Sequence, residues 1–342
     1  MLSNFELITV KDPHFAYGFK NMIRKNYERD MDNKLEFINN YCKDNNIDTM
    51  LATGDICDKN TKKFSTKQYG TLKRKIRNNL NQINLISNVG NHDMENGLEI
   101  QEETEEYTTV FDELCDDNLL QNITRKPFIN NLVYIQGVDF NSDREIVLEN
   151  IKQFNEKDVN GLCKIIVLHS NVTPGDEKKT QFTYTQLMQD FEDIDIFVNG
   201  HYHIGYPTKV MPRMRGKIAY FINNWNLHRV MRDYDVSLNE HNVNMSHVKI
   251  GVPINNGGVI QHQISIKDVD IPHLSYEEAF EIKNIDLLVK TEDEIFDFFQ
   301  KNNFDDLSTF RKTDSELIKQ LFDTNPDYQE NIINKVKNYL DI

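Results

Sequence analysis

The sequence predicts an α/β fold in which buried strands alternate with amphipathic helices. Five short apolar runs rich in Ile, Val, Leu and Thr have the composition of strands buried on both faces. They are FELITV, DTMLAT, INLISNV, KIIVL and IDIFVN, at residues 5–10, 48–53, 83–89, 164–168 and 194–199. Helical patterns at residues 35–45 and 71–83 separate the first three runs. This alternation implies a doubly wound sheet, whose ligands collect at the carboxyl ends of the strands.

Each apolar run is followed by a short polar block. The blocks are DPH, GDICD, GNHD, LHS and GHYH, and they contain seven candidate metal ligands: Asp12, His14, Asp55, Asn91, His169, His201 and His203. Two divalent cations can clamp the attacking and leaving oxygens of a phosphoryl displacement. Mixed imidazole, carboxylate and amide ligands suit Mn, Fe or Zn better than Mg or Ca. The blocks therefore predict a two-metal phosphoesterase site on loops, and the glycines of three blocks are expected to let the chain turn sharply out of each strand.

Each residue also has an ordinary structural interpretation. A lone Asp or His at a strand end is more often a cap or a satisfied polar group, and His169 alone would be read in that way. Five blocks in one order reverse that preference. Five other histidines lie outside any block and are predicted to be surface or packing residues: His228, His241, His247, His262 and His273.

The ordered blocks resemble those of the calcineurin-like metallophosphoesterase superfamily, over about residues 6–210. The resemblance implies a layered αββα sandwich around two metals. It assigns Asp12, His14 and His203 to one metal, Asn91, His169 and His201 to the other, and Asp55 to a bridging position. It also implies that His92 is the catalytic histidine, that Asp93 orients the His92 ring, and that Asp58, the last residue of GDICD, belongs to the catalytic group. Some Mre11 proteins carry a DNA-handling histidine at the Asp58 position.

Within the superfamily the chain is most similar to the Mre11/SbcD nucleases, including phage recombination nucleases, through the extended block DPHFAYG and the C-terminal organisation. This resemblance implies an α/β nuclease domain at residues 1–272 and a helical region at residues 273–342. It implies a Mn-dependent 3′-5′ exonuclease and single-strand endonuclease acting in DNA repair or recombination. Two alternatives stay open: a small-substrate phosphomonoesterase or cyclic-nucleotide phosphodiesterase, and a non-catalytic adaptor on the same fold.

A basic run supports a DNA partner although the chain of 342 residues has a net charge of −15. No Asp or Glu occurs from Lys59 to His92. The candidate DNA-binding residues are Lys62, Lys63, Lys67, Lys73, Arg74, Lys75 and Arg77. Such a run can equally be the solvated face of a helix. Its place between two metal blocks favours a phosphate backbone passing beside the cleft.

The rest of the chain adds a second sheet and a helical tail. Short β segments at residues 217–223, 247–252 and 258–266 are expected to complete the second sheet. Helical patterns follow Ile271. This tail is either a cap on the core or, as the resemblance implies, a docking element for a Rad50/SbcC-like ABC ATPase. A homodimer is left open.

The composition indicates the cellular compartment in which the protein is expected to work. No apolar run is long enough to cross a bilayer, and the N-terminus has no basic region followed by an apolar stretch. The four cysteines lie far apart without a CxxC pair, which fits a reducing compartment. We therefore expect a cytoplasmic protein without a membrane partner, in the host cytoplasm if it is phage-encoded.

Overall fold

The computed structural model describes residues 4–17, 26–58, 63–95, 97–98, 108–159, 161–175, 180–213, 216–228, 243–256 and 259–279. The chain divides into two units, residues 1–281 and 282–342. The second unit, and with it most of the predicted helical region at 273–342, lies outside the described residues.

The described chain contains sixteen strands and seven helices. The strands are β1 Asn4–Val10, β2 Thr49–Ala52, β3 Lys63–Phe64, β4 Asn84–Ser87, β5 Gly97–Leu98, β6 Gln121–Asn122, β7 Phe128–Ile129, β8 Val133–Val138, β9 Cys163–Ser170, β10 Val172–Thr173, β11 Phe182–Thr183, β12 Ile196–His201, β13 Tyr206–Pro212, β14 Ile218–Asn223, β15 Asn244–Asn256 and β16 Val259–Asp270. The helices are α1 Tyr27–Asn45, α2 Thr66–Asn79, α3 Asn91–Glu95, α4 Val110–Asp116, α5 Arg144–Glu156, α6 Tyr184–Asp190 and α7 Tyr276–Ala279.

Most of the strands form two six-stranded sheets. The first has the order β16-β15-β1-β2-β4-β6, and its strands β1, β2, β4 and β6 are parallel. The second has the order β13-β14-β12-β9-β8-β7, and its strands β14, β12, β9 and β8 are parallel. The carboxyl ends of each parallel set lie at one edge of its sheet, where the connecting loops can form a site.

Three apolar layers show how the sheets and helices stack. Alternate residues of a strand point to opposite faces. Leu7 of β1 and Ile165 of β9 share one core between the two sheets. Ile8 packs with α1, α2 and α4 on the outer face of the first sheet. Ile166 packs with α5 and α6 outside the second. The predicted αββα sandwich is thereby confirmed.

The outer helices have the spacing that such packing requires. In α1 the buried residues Met31, Leu35, Ile38 and Cys42 follow each other at intervals of three or four positions, which places them on one face. Helix α2 begins with a capping box, in which the Ser65 side chain accepts a bond from Gln68 N–H and the Gln68 side chain accepts one from Ser65 N–H. Both helices begin several residues before the predicted segments at 35 and 71.

One expectation about the sheets is wrong. Strand β14 joins the second sheet as predicted, but β15 and β16 extend the first sheet. After β14 the chain crosses to the end of β1, where Leu227 N–H donates to Lys11 O. The next strand, β15, then pairs antiparallel with the free edge of β1. Periodicity identifies such strands but not the edge they join, because the pairing is set by this crossing.

No helix in the described part of the chain is long and apolar enough to cross a membrane.

Candidate metal centre

The seven candidate ligands converge where parallel strands of both sheets end. Asp12 and His14 follow β1, Asp55 follows β2, Asn91 follows β4, His169 lies at the end of β9, and His201 and His203 lie at and after the end of β12. The innermost of them are 0–1% exposed: Asp12, His14, Asp55 and His169. Asn91, His201 and His203 are partly exposed, so the site opens on their side.

Asp55 occupies the centre of the group. Its Oδ2 atom lies 3.5 Å from His14 Nε2 and 3.2 Å from His169 Nε2. The same oxygen is 4.0 Å from His92 Nε2. A single carboxylate oxygen therefore faces imidazoles from both halves of the site, which is the arrangement that a bridging ligand requires.

The remaining ligands form one group on each side of Asp55. On one side His203 Nε2 lies 3.9 Å from Asp12 Oδ2, and His14 completes a set whose ligand atoms lie within 4.8 Å of one another. On the other side Asn91 Oδ1 lies 2.9 Å from His201 Nδ1 and 3.2 Å from His169 Nε2. These two groups contain the residues that the resemblance assigns to the two metals, and the assignment itself stays a prediction.

Buried atoms without partners show that the site fits cations. Among the described residues, Asp55 Oδ2 and both ring nitrogens of His14 are buried without a hydrogen-bond partner. Buried polar atoms of this kind are rare unless an ion or water satisfies them. Two carboxylates with several imidazoles and an amide oxygen form a donor set typical of first-row transition metals. The residues therefore fit two divalent cations, with Asp55 between them.

A backbone bond fixes which nitrogen His169 presents to the site. Its Nδ1 lies 2.5 Å from the carbonyl oxygen of Thr53, to which a ring N–H must donate. Such a bond orients a metal-binding histidine and leaves the other nitrogen for the metal. Burial lowers the His169 pKa, but the nearby Asp55 carboxylate outweighs this effect and raises it to about 9. The carboxylates of Asp55 and Asp12 thus attract positive charge at this position, which a metal cation could supply in place of the imidazole proton.

The neighbouring histidines are held neutral. Burial lowers the pKa of His14 to about 3. Burial together with the charge of His169 lowers the pKa of His201 to about 3 as well. Burial raises the pKa of Asp55, but His169 and His14 outweigh it, so the carboxyl has a pKa below its usual range. Neutral imidazoles and an ionised carboxylate are the protonation states that bind metals.

Four of the seven ligand candidates have a strained backbone. Asp12, His14, Asp55 and His201 have positive φ angles of 41°, 45°, 47° and 69°. This conformation is uncommon for residues other than glycine, and it concentrates at functional sites. Two hydrogen bonds hold the strained turns: His201 N–H donates to Asp12 Oδ2 at 2.9 Å, and His92 N–H donates to Asp55 Oδ1 at 2.8 Å.

The block glycines are needed mainly for close approach. Gly54 has φ +81°, as a sharp turn out of the strand requires. At Gly90 a Cβ would lie 2.1 Å from Asp55 Oδ1, and at Gly200 it would lie 2.5 Å from Asp12 Oδ1. The expectation that all three serve turning is thus correct only for Gly54, since the other two let the ligand carboxylates pass against the backbone.

His92 lies at the open side of the site. It follows Asn91 in α3, and its side chain is 19% exposed. Its ring packs edge-on against His14 with 4.5 Å between ring centroids. Asp93 is buried, and its two carboxylate oxygens accept bonds from Cys57 N–H and Gly90 N–H. Asp93 thus fastens two ligand-bearing loops together, while its predicted role in orienting His92 stays a prediction.

A further histidine, His228, packs beside the site although it lies outside the sequence blocks. His228 is 2% exposed, and its ring lies 5.2 Å from the His14 ring and 5.5 Å from the Tyr27 ring. Its Nε2 lies 3.7 Å from Asp58 Oδ2, so Asp58 is a buried partner of His228. His228 follows β14, a parallel strand whose carboxyl end shares the edge that carries the ligands, but this parallel pairing is not visible in the sequence.

Phe140 and Lys11 also lie at the site, although neither belongs to a candidate block. Phe140 packs its ring 5.0 Å from that of His201 and 6.1 Å from that of His169. Lys11, which directly precedes Asp12, is completely buried. Burial lowers the Lys11 pKa to about 7, and the charge of Asp12 opposes this shift. No sequence motif marks either residue.

The predicted DNA-binding residues have differing surroundings. Lys62 lies outside the described residues, and only the backbone of Lys63, in β3, is described. Lys67 and Arg74 are exposed on α2. Lys73 Nζ lies 2.5 Å from Asp117 Oδ2, and Lys75 forms an ion pair with Asp32.

Arg77 is exposed but lies close to the same acidic group as Lys73. Asp117 has a lowered pKa, chiefly because of its bond to Lys73, and Arg77 adds to the effect. The basic run is therefore partly neutralised by neighbouring carboxylates.

Comparison with known proteins gives one family match. The family model described as calcineurin-like phosphoesterase matches residues 12–205. Among curated protein sequences, none matches this chain. The match includes all seven candidate ligands.

Several solved structures resemble the chain at low identity. TT1561 of Thermus thermophilus is 10% identical, with a TM-score of 0.40, and the alignment covers 78% of this chain and 99% of that one. A phosphatase from Mycoplasma pneumoniae is 14% identical, with a TM-score of 0.38 and coverages of 80% and 96%. A dimetal phosphatase from Danio rerio is 10% identical, with a TM-score of 0.39 and coverages of 79% and 99%. TM-scores of this size carry no information about substrate.

Proposed function

Because the chain belongs to the calcineurin-like phosphoesterase family, we propose that it hydrolyses phosphodiester bonds at the centre formed around Asp55, with DNA as the first candidate substrate. One observation supports the catalytic part of this proposal. The buried Asp55 Oδ2 atom has no hydrogen-bond partner, and it lies between the imidazoles of His14 and His169. A non-catalytic adaptor would have no reason to keep buried, unpaired ligand atoms and strained turns.

The chain's own residues determine where a substrate phosphate enters. Asp12, His14, Asp55 and His169 form the closed floor of the site. When bound, two divalent cations would stabilise the charge on the attacking and leaving oxygens of an in-line displacement. The partly exposed side, with Asn91, His92 and His203, is where a phosphoryl group can approach that floor.

His92 supplies the proton chemistry in this proposal. Its ring reaches the open side, and its Nε2 lies 4.0 Å from Asp55 Oδ2. From there a ring N–H can donate to a phosphoryl oxygen or to the departing ester oxygen. Hydrolysis of a diester benefits from such a donor, since its leaving group is an alkoxide that must gain a proton.

Two features support DNA as the substrate. The first is the resemblance of DPHFAYG and the surrounding blocks to Mre11/SbcD nucleases. The second is the placement of α2. This helix directly follows β3. Strand β3 pairs with β5, which comes just after α3, the helix that carries His92. Lys67 is exposed in the first turn of α2, at the end of the helix that follows β3. Arg74 continues the exposed charge about 10 Å further along the helix axis.

A small phosphodiester or phosphomonoester is the second candidate substrate. The observation that favours it is the pairing of Lys73 with Asp117 and of Lys75 with Asp32, which removes two cations from a DNA-binding surface. The net charge of −15 acts in the same direction. A small substrate needs only the metal centre and no basic tract.

The two candidates separate in a direct digestion experiment. End-labelled single-stranded and double-stranded DNA would be incubated with the full chain and Mn, Mg or EDTA, in parallel with bis-p-nitrophenyl phosphate. Metal-dependent shortening of labelled DNA supports the nuclease. Turnover of the small diester without any cleavage of DNA would instead select the second candidate.

Charge reversal at Lys67 and Arg74 is expected to weaken DNA binding more than charge reversal at Lys73 and Lys75. Lys67→Glu with Arg74→Glu removes exposed cations that have no acidic partner among the described residues. Each lost phosphate contact lowers the log–log salt slope by about 0.7–0.9. The measurement is DNA affinity across a series of salt concentrations, with bis-p-nitrophenyl phosphate turnover as the control that stays unchanged. If both double variants keep the salt slope of the wild type, the whole run is an ordinary helix surface.

We propose that the C-terminal region docks an ABC-type ATPase, as the Mre11/SbcD resemblance implies. Deleting residues 291–342 is expected to leave bis-p-nitrophenyl phosphate hydrolysis intact, since all candidate ligands end at His203. Loss of pull-down by a coiled-coil ATPase is the expected effect on the partner. If the shortened chain aggregates or melts far below the full chain, the region is a structural cap.

A further inference from the structure

A completely buried lysine lies directly behind the metal centre. Lys11 follows the last residue of β1 and precedes Asp12. Its side chain is 0% exposed. Lysines are rarely buried unless their ammonium groups are hydrogen-bonded, because desolvation of the charge is costly. The partners of this ammonium therefore indicate what it does.

The Lys11 ammonium bonds to the loop that carries His203. It donates to the backbone carbonyl of Tyr202, to that of Ile204 at 3.4 Å, and to Asn223 Oδ1 at 3.0 Å. Asn223 Nδ2 in turn donates to the Ile204 carbonyl at 2.7 Å. The two carbonyls belong to the residues on either side of His203.

His203 lies on the loop that the Lys11 ammonium holds. It lies beyond the end of β12, in irregular chain, and its side chain is 24% exposed. His201, by contrast, ends the strand, and its N–H donates to Asp12 Oδ2. The ammonium links the end of β1, which carries Asp12, to the carbonyls that flank His203. This link therefore fixes the position of His203 relative to Asp12, and the ligand atoms of these two side chains lie 3.9 Å apart.

We infer that Lys11 is a positioning residue that completes the cation site of Asp12, His14 and His203 by fixing the loop on both sides of His203. This inference rests on the metal-binding part of the proposed function and is independent of the substrate. Residues that orient metal ligands typically change metal affinity about 10- to 100-fold when they are replaced. Lys11 acts through the loop backbone, so the other site, with Asn91, His169 and His201, keeps its affinity.

The test is a Mn²⁺ titration of the metal-stripped full chain and of Lys11→Met, by calorimetry and by electron paramagnetic resonance. We expect the wild type to bind two Mn²⁺ ions with the coupled spectrum of a dinuclear centre. We expect Lys11→Met to bind one ion as before and the other about 10- to 100-fold more weakly. If Lys11→Met does not fold, Lys11→Gln, whose amide keeps two donors, should show a smaller loss at the same site.

Lys34 offers a matched control. It is also 0% exposed and donates to the Leu227 carbonyl at 2.8 Å, but it pairs with Asp30 and reaches neither carbonyl beside His203. Lys34→Met is expected to lower thermal stability while both Mn²⁺ affinities stay as in the wild type. A comparable loss of Mn²⁺ affinity in Lys34→Met would assign the Lys11 effect to general destabilisation and overturn the inference.

A double-mutant cycle with His203→Ala tests the route of the effect. In the His203→Ala background, Lys11→Met should cause no further loss of Mn²⁺ affinity. Additive losses, or two unchanged Mn²⁺ affinities in Lys11→Met, would contradict the positioning role. If the wild type binds no Mn²⁺, the proposed function fails, and this outcome is distinct from failure of the Lys11 inference.

Discussion

Asp55→Asn is expected to lower kcat by roughly a thousandfold or more and to release both metals. Asp55 Oδ2 faces His14 on one side and His169 on the other. The amide keeps the shape, and Asn tolerates the positive φ of 47° at this position, but the bridging charge is lost. We expect Asp55→Asn to lose about 4 kcal/mol of transition-state stabilisation, which corresponds to a kcat that is lower by roughly a thousandfold.

The measurement is the metal content after dialysis, together with kcat for bis-p-nitrophenyl phosphate. Asp139→Asn is a suitable control, because Asp139 is a half-buried carboxylate near the site that accepts bonds from Val89 N–H and Thr124. Asp139 is not among the candidate ligands, so its variant should keep both metals. An Asp55→Asn protein with two metals and near-normal kcat would rule out the bridging assignment.

His92→Ala is expected to lower kcat by about 10²- to 10⁴-fold while both metals stay bound. His92 lies on the open side of the site, and its proposed role is proton donation to the phosphoryl or leaving oxygen. Its Nε2 is close enough to Asp55 and His14 to form a third group of candidate ligands with them. Catalysis and ligation are therefore distinct hypotheses for this residue.

Metal analysis of the His92→Ala protein distinguishes the two hypotheses. Unchanged metal content with a lowered kcat and little change in KM fits an interaction made only in the transition state. His203→Ala is the matched comparison, since the removal of an assigned ligand should deplete one cation. Depletion of metal in His92→Ala to the same extent would assign His92 to ligation.

The sequence was sufficient to predict the elements that position the site. Buried parallel strands read as continuous apolar runs, and the runs at 5–10 and 164–168 became β1 and β9. Since chemistry follows the carboxyl ends of such strands, the polar blocks could be assigned to one edge. The sheet membership of β15 and β16 could not be predicted, because it depends on the chain crossing to β1 after residue 223.

The residues that support the ligands were harder to predict. Lys11 and His228 come from segments far apart in the chain, and each acquires its role only through contacts that the fold creates. The pairing of Lys75 with Asp32 is of the same kind, since it joins two helices. A local pattern carries no record of such partners. Gly90 and Gly200 were predicted as turns because their close contacts with ligand carboxylates are likewise invisible in sequence.

A two-metal phosphodiesterase must lose its activity with its metals, so the decisive measurement is the rate of bis-p-nitrophenyl phosphate hydrolysis by the EDTA-stripped chain as Mn²⁺ is added. The expected result is no hydrolysis in EDTA, followed by activity that rises to a plateau at two equivalents of bound Mn²⁺. Hydrolysis that persists in EDTA, that saturates at one equivalent, or that never appears although two ions are bound would rule out a two-metal phosphodiesterase.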